Sequence, residues 1–148
     1  MWHGGRVGEY VENPWYYNDE VFDPDEDFLK SYVGFVYCLT NLTENKKYIG
    51  KKLFWASKIL PVTKTRLRRK RIKVESNWKN YYGSSQAVTH LVEGGIHFRR
   101  DIIHLCKTKG ECSYYEAKEQ FAQDVLLRDD FYNDFIGCKI HSKHLKYK

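Results

Sequence analysis

Val33-Gly34-Phe35-Val36-Tyr37-Cys38-Leu39-Thr40 is followed by the polar run Asn41-Leu42-Thr43-Glu44-Asn45-Lys46 and then by Lys47-Tyr48-Ile49-Gly50-Lys51-Lys52-Leu53. The first segment is β-branched, aromatic and almost continuously apolar, which suits a strand buried on both faces. Two asparagines in the polar run suit a hairpin loop, and the third segment is the returning strand. Downstream, Ser84 or Ser85 can cap a helix over residues 86–93 that Gly94-Gly95 ends. Residues 97–106 read as a third strand and 107–110 as a turn. A helix is predicted over 113–128, with Tyr114, Ala117, Phe121 and Val125 as its apolar stripe. Residues 54–58 read as the start of a short helix that stops near Pro61. Residues 129–136 read as a short helix or turn, and 136–141 as an edge strand. The order ββαβα predicts an α+β domain, a small three-stranded antiparallel sheet flanked by helices.

The chain has 148 residues, 42% hydrophobic and 16% aromatic. That is about one domain with one sizeable core, and it excludes a disordered chain, a coiled coil and a collagen-like fibre. No apolar run approaches the ~18 residues of a membrane span. Met1-Trp2-His3-Gly4-Gly5-Arg6 lacks the apolar stretch of a signal peptide. The four cysteines then read as reduced thiols in a soluble cytoplasmic protein.

Charge is distributed unevenly. The net +6 hides a segment, residues 1–30, with eight acids against two bases. Between Lys46 and Asn80 there are thirteen bases and one acid, Glu75. A field of that kind attracts polyanions, nucleic acid first among them. The organisation read from this is an acidic aromatic extension over 1–30, a domain over 31–137 with a basic insertion at 58–80, and a basic tail at 138–148. The extension either docks locally, the favoured reading, or folds across the basic face and competes with nucleic acid. Residues 64–73 hold seven cations in ten. Their mutual repulsion argues for a mobile loop, or a helix ordered only by phosphates.

Tyr37 and Tyr48 fall near the ends of the predicted hairpin, with Lys51 and Lys52 just beyond. A phenol beside ammonium groups has its phenolate favoured and could take a proton from water, while the lysines hold a phosphate. Phe35-Val36-Tyr37 and Tyr48-Ile49-Gly50, followed in order by Tyr82-Gly83-Ser84 and a Glu-bearing helix, resemble the GIY-YIG nuclease family over roughly residues 33–135. The nearest branch in appearance is the phage-encoded homing endonucleases, which places the protein in the cytoplasm of a bacterial host. The resemblance implies a DNA endonuclease hydrolysing phosphodiester bonds with Mg²⁺ or Mn²⁺, acting as a monomer or homodimer. It also implies that Tyr37 and Tyr48 flank the scissile phosphate, that Glu116 holds the metal and that Asn133 matches the family's Asn. Glu119, one turn beyond Glu116, is the reserve metal ligand. Glu116 has a second reading, because Ser113-Tyr114-Tyr115-Glu116 is also a capping box that would turn the carboxylate back onto the helix start.

The sequence departs from the family pattern at Phe35, where Gly is usual, and at Lys58, where the family has Arg. Lys58, Lys52 or an arginine of the stretch Arg66, Arg68, Arg69, Lys70, Arg71 and Lys73 is left to supply that charge, and Arg and Lys are not equivalent at a bidentate contact. DNA contact falls to Lys51, to that basic stretch and to the tail. Cys138, His141 and His144 with Cys106 and Cys112 look like zinc ligands but lack finger-like spacing; buried cysteines and a solvated tail are preferred. His90 reads as a solvated helix histidine. The rival function is a non-catalytic nucleic-acid-binding protein on the same fold, with an RNA-directed or zinc-stabilised binding module as a third.

Overall fold

The computed structural model describes residues 13–137 together with 139 and 142. In chain order the elements are β1 (Trp15–Tyr17), β2 (Glu20–Val21), α1 (Glu26–Lys30), β3 (Gly34–Asn41), β4 (Lys46–Leu53), β5 (Trp55–Leu60), β6 (Lys70–Glu75), a 3₁₀ turn (Trp78–Asn80), α2 (Gln86–Glu93), β7 (Phe98–Cys106) and α3 (Lys109–Ala122). The β3–β4 hairpin forms as its sequence predicts. Asn41 Oδ1 accepts from the Thr43 and Glu44 amides, and Asn45 takes a left-handed φ of 56°. β3 runs antiparallel to β4 on one side and to β7 on the other, so it is buried on both faces.

The sheet is five-stranded and mixed, in the order β2-β1-β7-β3-β4, rather than three-stranded and antiparallel. The additional strands come from the acidic arm: β1 pairs in parallel with β7, and β2 returns along β1. The cause is aromatic burial. Trp15 is 2% exposed, packs edge-on against Phe35 and Tyr37, and donates its indole N–H to the Trp78 carbonyl at 2.8 Å. Trp15–Tyr17 and Glu20–Val21 of the arm are therefore strands of the same sheet as β3, β4 and β7. Of the arm's acids, Asp19 pairs with Arg99 of β7 at 2.8 Å, which is local docking.

Two cores line the two faces. Phe35, Tyr37, Leu39, Phe54, Trp78, Val88 and Phe98 fill one with Trp15, beneath α2; Val36, Ile49, Cys106, Cys112, Val125 and Phe131 fill the other, beneath α3. Residues 54–58 form no helix, and 64–73 are neither a loop throughout nor a helix. Instead β5 and β6 make a separate antiparallel hairpin, with Arg71 opposite Ile59 and Lys73 opposite Ser57. Alternation explains it: Lys58 and Lys70 project to one face, and Arg71 and Lys73 to the other. The long helix begins at Lys109, capped by the Thr108 hydroxyl, and ends at Ala122. Its buried side chains are Cys112, Ala117 and Gln120, while Phe121 of the expected stripe is exposed. Residues 129–136 form no helix; Phe131 makes an isolated bridge to Lys47. Cys138, His141, His144 and the tail lysines 143, 146 and 148 lie outside the described residues.

Removing the Trp15 anchor tests whether the arm is integral. Trp15→Ala should lower unfolding stability by about 3–5 kcal/mol in a denaturant titration. A loss under about 1 kcal/mol would mean that the arm merely rests on the domain.

Candidate active site

β4 is the outer strand of its sheet, so the outward-facing main-chain groups of Ile49 and Lys51 need partners from outside the ladder. Side chains provide them. Asn133 Oδ1 accepts from the Ile49 amide at 3.1 Å, and its Nδ2 donates to the Ile49 carbonyl at 2.8 Å. Gln120 of α3 donates to the same carbonyl at 2.9 Å. Glu116, one helical turn before Gln120, takes a hydrogen bond from the Lys51 main chain and faces the Lys51 ammonium at 3.9 Å. Lys51 Nζ also donates to Ser113 Oγ at 2.7 Å. The carboxylate of α3 is thereby held along the edge of the Tyr48-Ile49-Gly50-Lys51 segment.

Thr108 and Glu111 form the capping pair of α3. The Glu111 amide donates to the Thr108 hydroxyl at 3.0 Å, and the Glu111 carboxylate accepts from the Lys107 amide at 2.6 Å. Ser113 therefore lies inside the helix, and Glu116 is free of the capping role that its sequence allows. Glu119 points elsewhere: it accepts from Gln123 at 3.2 Å, and its charge acts on Cys38 in the second core.

On the first-core face, Tyr37 and Tyr48 lie with ring centroids 6.4 Å apart. The Tyr37 hydroxyl sits between two glycines: a Cβ on Gly50 would fall 2.5 Å from it, and one on Gly83 3.0 Å from it. Gly83 also holds a φ of +84°, which side-chain-bearing residues rarely adopt. Tyr37 hydrogen-bonds to Tyr81, and Tyr48 pairs with the Ser84 hydroxyl at 3.3 Å. Burial, then the charges of Tyr81 and Tyr48, and less so that of Glu116, hold the Tyr37 phenol well above its ordinary value. Tyr81 is also raised, chiefly by burial and again in part by Glu116. The carboxylate is thus within electrostatic reach of both hydroxyls. Tyr37 remains a protonated hydrogen-bond donor, the reverse of the activation expected for a phenol beside lysines. Lys51 does not lie beside it but is tied to α3.

The cations separate into three groups. Lys52 Nζ lies 4.2 Å from the Tyr81 ring centroid, and its partial burial lowers its pKa. Lys58 is exposed on β5. Arg68, Arg69, Lys70, Arg71 and Lys73 are exposed on the hairpin and its loop, whereas Arg66 folds back to donate to the Pro61 carbonyl at 2.8 Å. His90 is exposed in the last turn of α2. Tyr81 and Gln120 were not singled out in the sequence as site residues. The only signal for Tyr81 is the Tyr-Tyr-Gly run, and Gln120 looks like any helix glutamine.

Behind Tyr81, Arg100 of β7 is 1% exposed. It donates to the carbonyls of Tyr81 and Asn13 and lies between the rings of Trp15 and Tyr82. Burial lowers its pKa to about 10. It ties the N-terminal arm to the segment that carries Tyr81.

A protein-family model described as "Putative endonuclease segE, GIY-YIG domain" matches residues 15–136. No curated protein and no solved structure matches the chain. Among the described residues, no helix is long and apolar enough to cross a membrane.

Burial holds the Glu116 carboxyl above its ordinary value of 4.5, against the opposing pull of Lys51. A raised folded-state pKa contributes stability that is present below the unfolded value and lost as pH rises through the folded one. Ionised Glu116 therefore opposes folding at pH 7. Glu116→Gln should raise the Tm of the metal-free protein at pH 7, with the difference vanishing as pH falls toward 4. A lower Tm for the variant at pH 7 would contradict this.

Proposed function

The chain belongs to the SegE-type GIY-YIG domain family, and on that premise we propose that it is a metal-dependent DNA endonuclease whose phosphodiester hydrolysis occurs between Tyr37, Tyr48 and Glu116. The observation that carries this reading is geometric: α3 holds the Glu116 carboxylate on Lys51 at the edge of β4, the strand that also carries Tyr48, whose ring centroid lies 6.4 Å from that of Tyr37.

Glu116 suits a hard divalent cation, being an oxygen donor 15% exposed at its side chain and able to act as the single protein ligand while water fills the other positions. Mg²⁺ or Mn²⁺ held there supplies Lewis-acid polarisation of the phosphoryl oxygen and the leaving group. Tyr48, paired with Ser84, orients the attacking water, and as the phenolate it takes that water's proton and becomes the neutral phenol. Tyr37 donates to Tyr81 and keeps that ring, with Lys52 above it, in place. Lys52, 4.2 Å from the Tyr81 ring centroid, stabilises charge developing on the phosphate, the task that Arg has in the family. Lys51 and Asn133 are positioning residues, one for Glu116 and the other for the Ile49 backbone. The hairpin cations Arg68, Arg69, Lys70, Arg71 and Lys73 hold phosphates of the duplex, giving affinity without sequence choice.

Nicking of supercoiled plasmid tests the proposal. Cleavage should require Mg²⁺ or Mn²⁺ and stop with EDTA. It should fall by about 10²–10³-fold in Glu116→Gln and in Tyr48→Phe. Salt-dependent DNA binding without cleavage in any divalent cation would instead establish a non-catalytic binding protein.

A further inference from the structure

At the junction of β7 and α3, in the second core, an imidazole nitrogen of His104, the Cys106 sulfur and a carboxylate oxygen of Glu111 lie within 4.8 Å of one another. Cys112 is fully buried and hydrogen-bonded to Cys106, adding a second sulfur next to the cluster. The His104 ring is held flat on Tyr115 at 3.9 Å. Its Nε2 is shielded from solvent and has no hydrogen-bond partner among the described residues. Buried side-chain nitrogens are rarely left in that condition. One sulfur, one imidazole and one carboxylate within 4.8 Å of one another, with a second sulfur hydrogen-bonded to the first, form a donor set for a borderline-soft, tetrahedral ion. A hard cation such as Mg²⁺ prefers oxygen donors such as the Glu116 carboxylate.

We propose that His104, Cys106 and Glu111, with Cys112 as fourth donor, form a structural zinc site separate from the catalytic cation. Glu111 also accepts from the Lys107 amide, which a carboxylate's several lone pairs allow alongside a metal bond. The site joins the last residues of β7 to the first turn of α3. It fixes the helix start relative to the sheet, and through the helix it fixes Glu116 and Gln120 against β4. The sequence alone grouped Cys106 and Cys112 with Cys138, His141 and His144. The last three lie outside the described residues; the fold brings Cys106 to His104 and Glu111, residues with no finger-like spacing, and Cys112 onto Cys106. This inference does not depend on the nuclease reading.

The test uses the full chain, reduced, stripped with EDTA and titrated with Zn²⁺. Close to one equivalent should remain after gel filtration, with a Tm rise of about 5 °C or more. Co²⁺ should give a thiolate-to-metal charge-transfer band. His104→Ala should weaken binding by about tenfold or more, and so should Glu111→Gln, which keeps the helix cap because Gln caps as well as Glu. Glu116→Gln should bind zinc as the unmodified chain does. No retained zinc together with no Tm change, a Co²⁺ spectrum without the thiolate band, or undiminished binding in His104→Ala would each overturn the proposal.

Discussion

The exposed edge of β4 is the constraint on which the rest depends. A strand at the end of a sheet carries main-chain groups with no ladder partner, and they must be satisfied by something else. Here the partners are Asn133, Gln120 and Glu116. Satisfying the edge of the Tyr48-Ile49-Gly50 segment therefore brings α3 and the chain around Asn133 to the strand that carries Tyr48. The same requirement puts a carboxylate beside a cluster of phenols. Gln120, which satisfies the Ile49 carbonyl, and the Glu116 carboxylate thus share one helix face, one turn apart.

The phenol side is fixed by close packing. Tyr37 is wedged against two glycines, and neither position has space for a methyl group. The hydroxyls of Tyr37, Tyr48 and Tyr81 are placed by the sheet and the Tyr81–Ser84 segment rather than by a mobile loop. The Arg100 guanidinium, seated between aromatic rings and carbonyls, ties that segment to the N-terminal arm. The first core, the arm and the phenols are in this sense one packed unit.

The legible parts of the sequence were those with strong local signals. The β3–β4 hairpin has a continuous apolar strand and an Asn-rich turn, α2 has its serine cap, and β7 alternates. Three features were not legible. The strand at Trp15–Tyr17 is too short to show a period, and its parallel partner lies far along the chain. The start of α3 had two competing capping pairs, Thr108 with Glu111 and Ser113 with Glu116. The first prevails, and it is accompanied by the burial of Cys112 against Cys106. The β5–β6 hairpin is hidden because like charges argue against regular structure; in a strand those charges alternate across two faces and are tolerated. For the site, Tyr37, Tyr48 and Glu116 are accessible through the family pattern; the two tyrosine rings lie 6.4 Å apart, and Glu116 is held on Lys51 at the β4 edge. The positioning roles of Gln120, Lys51 and Arg100 depend on contacts that no local pattern encodes.

The claim that one cleft joins the α3 carboxylate to the phenols is most directly tested by Mn²⁺ titration of the protein carrying ¹³C-labelled tyrosine, followed by NMR. Paramagnetic broadening should appear first on the ring resonances of Tyr37, Tyr48 and Tyr81, and should be lost in Glu116→Gln. Broadening that spares those three rings, or that persists unchanged in the variant, would contradict the account.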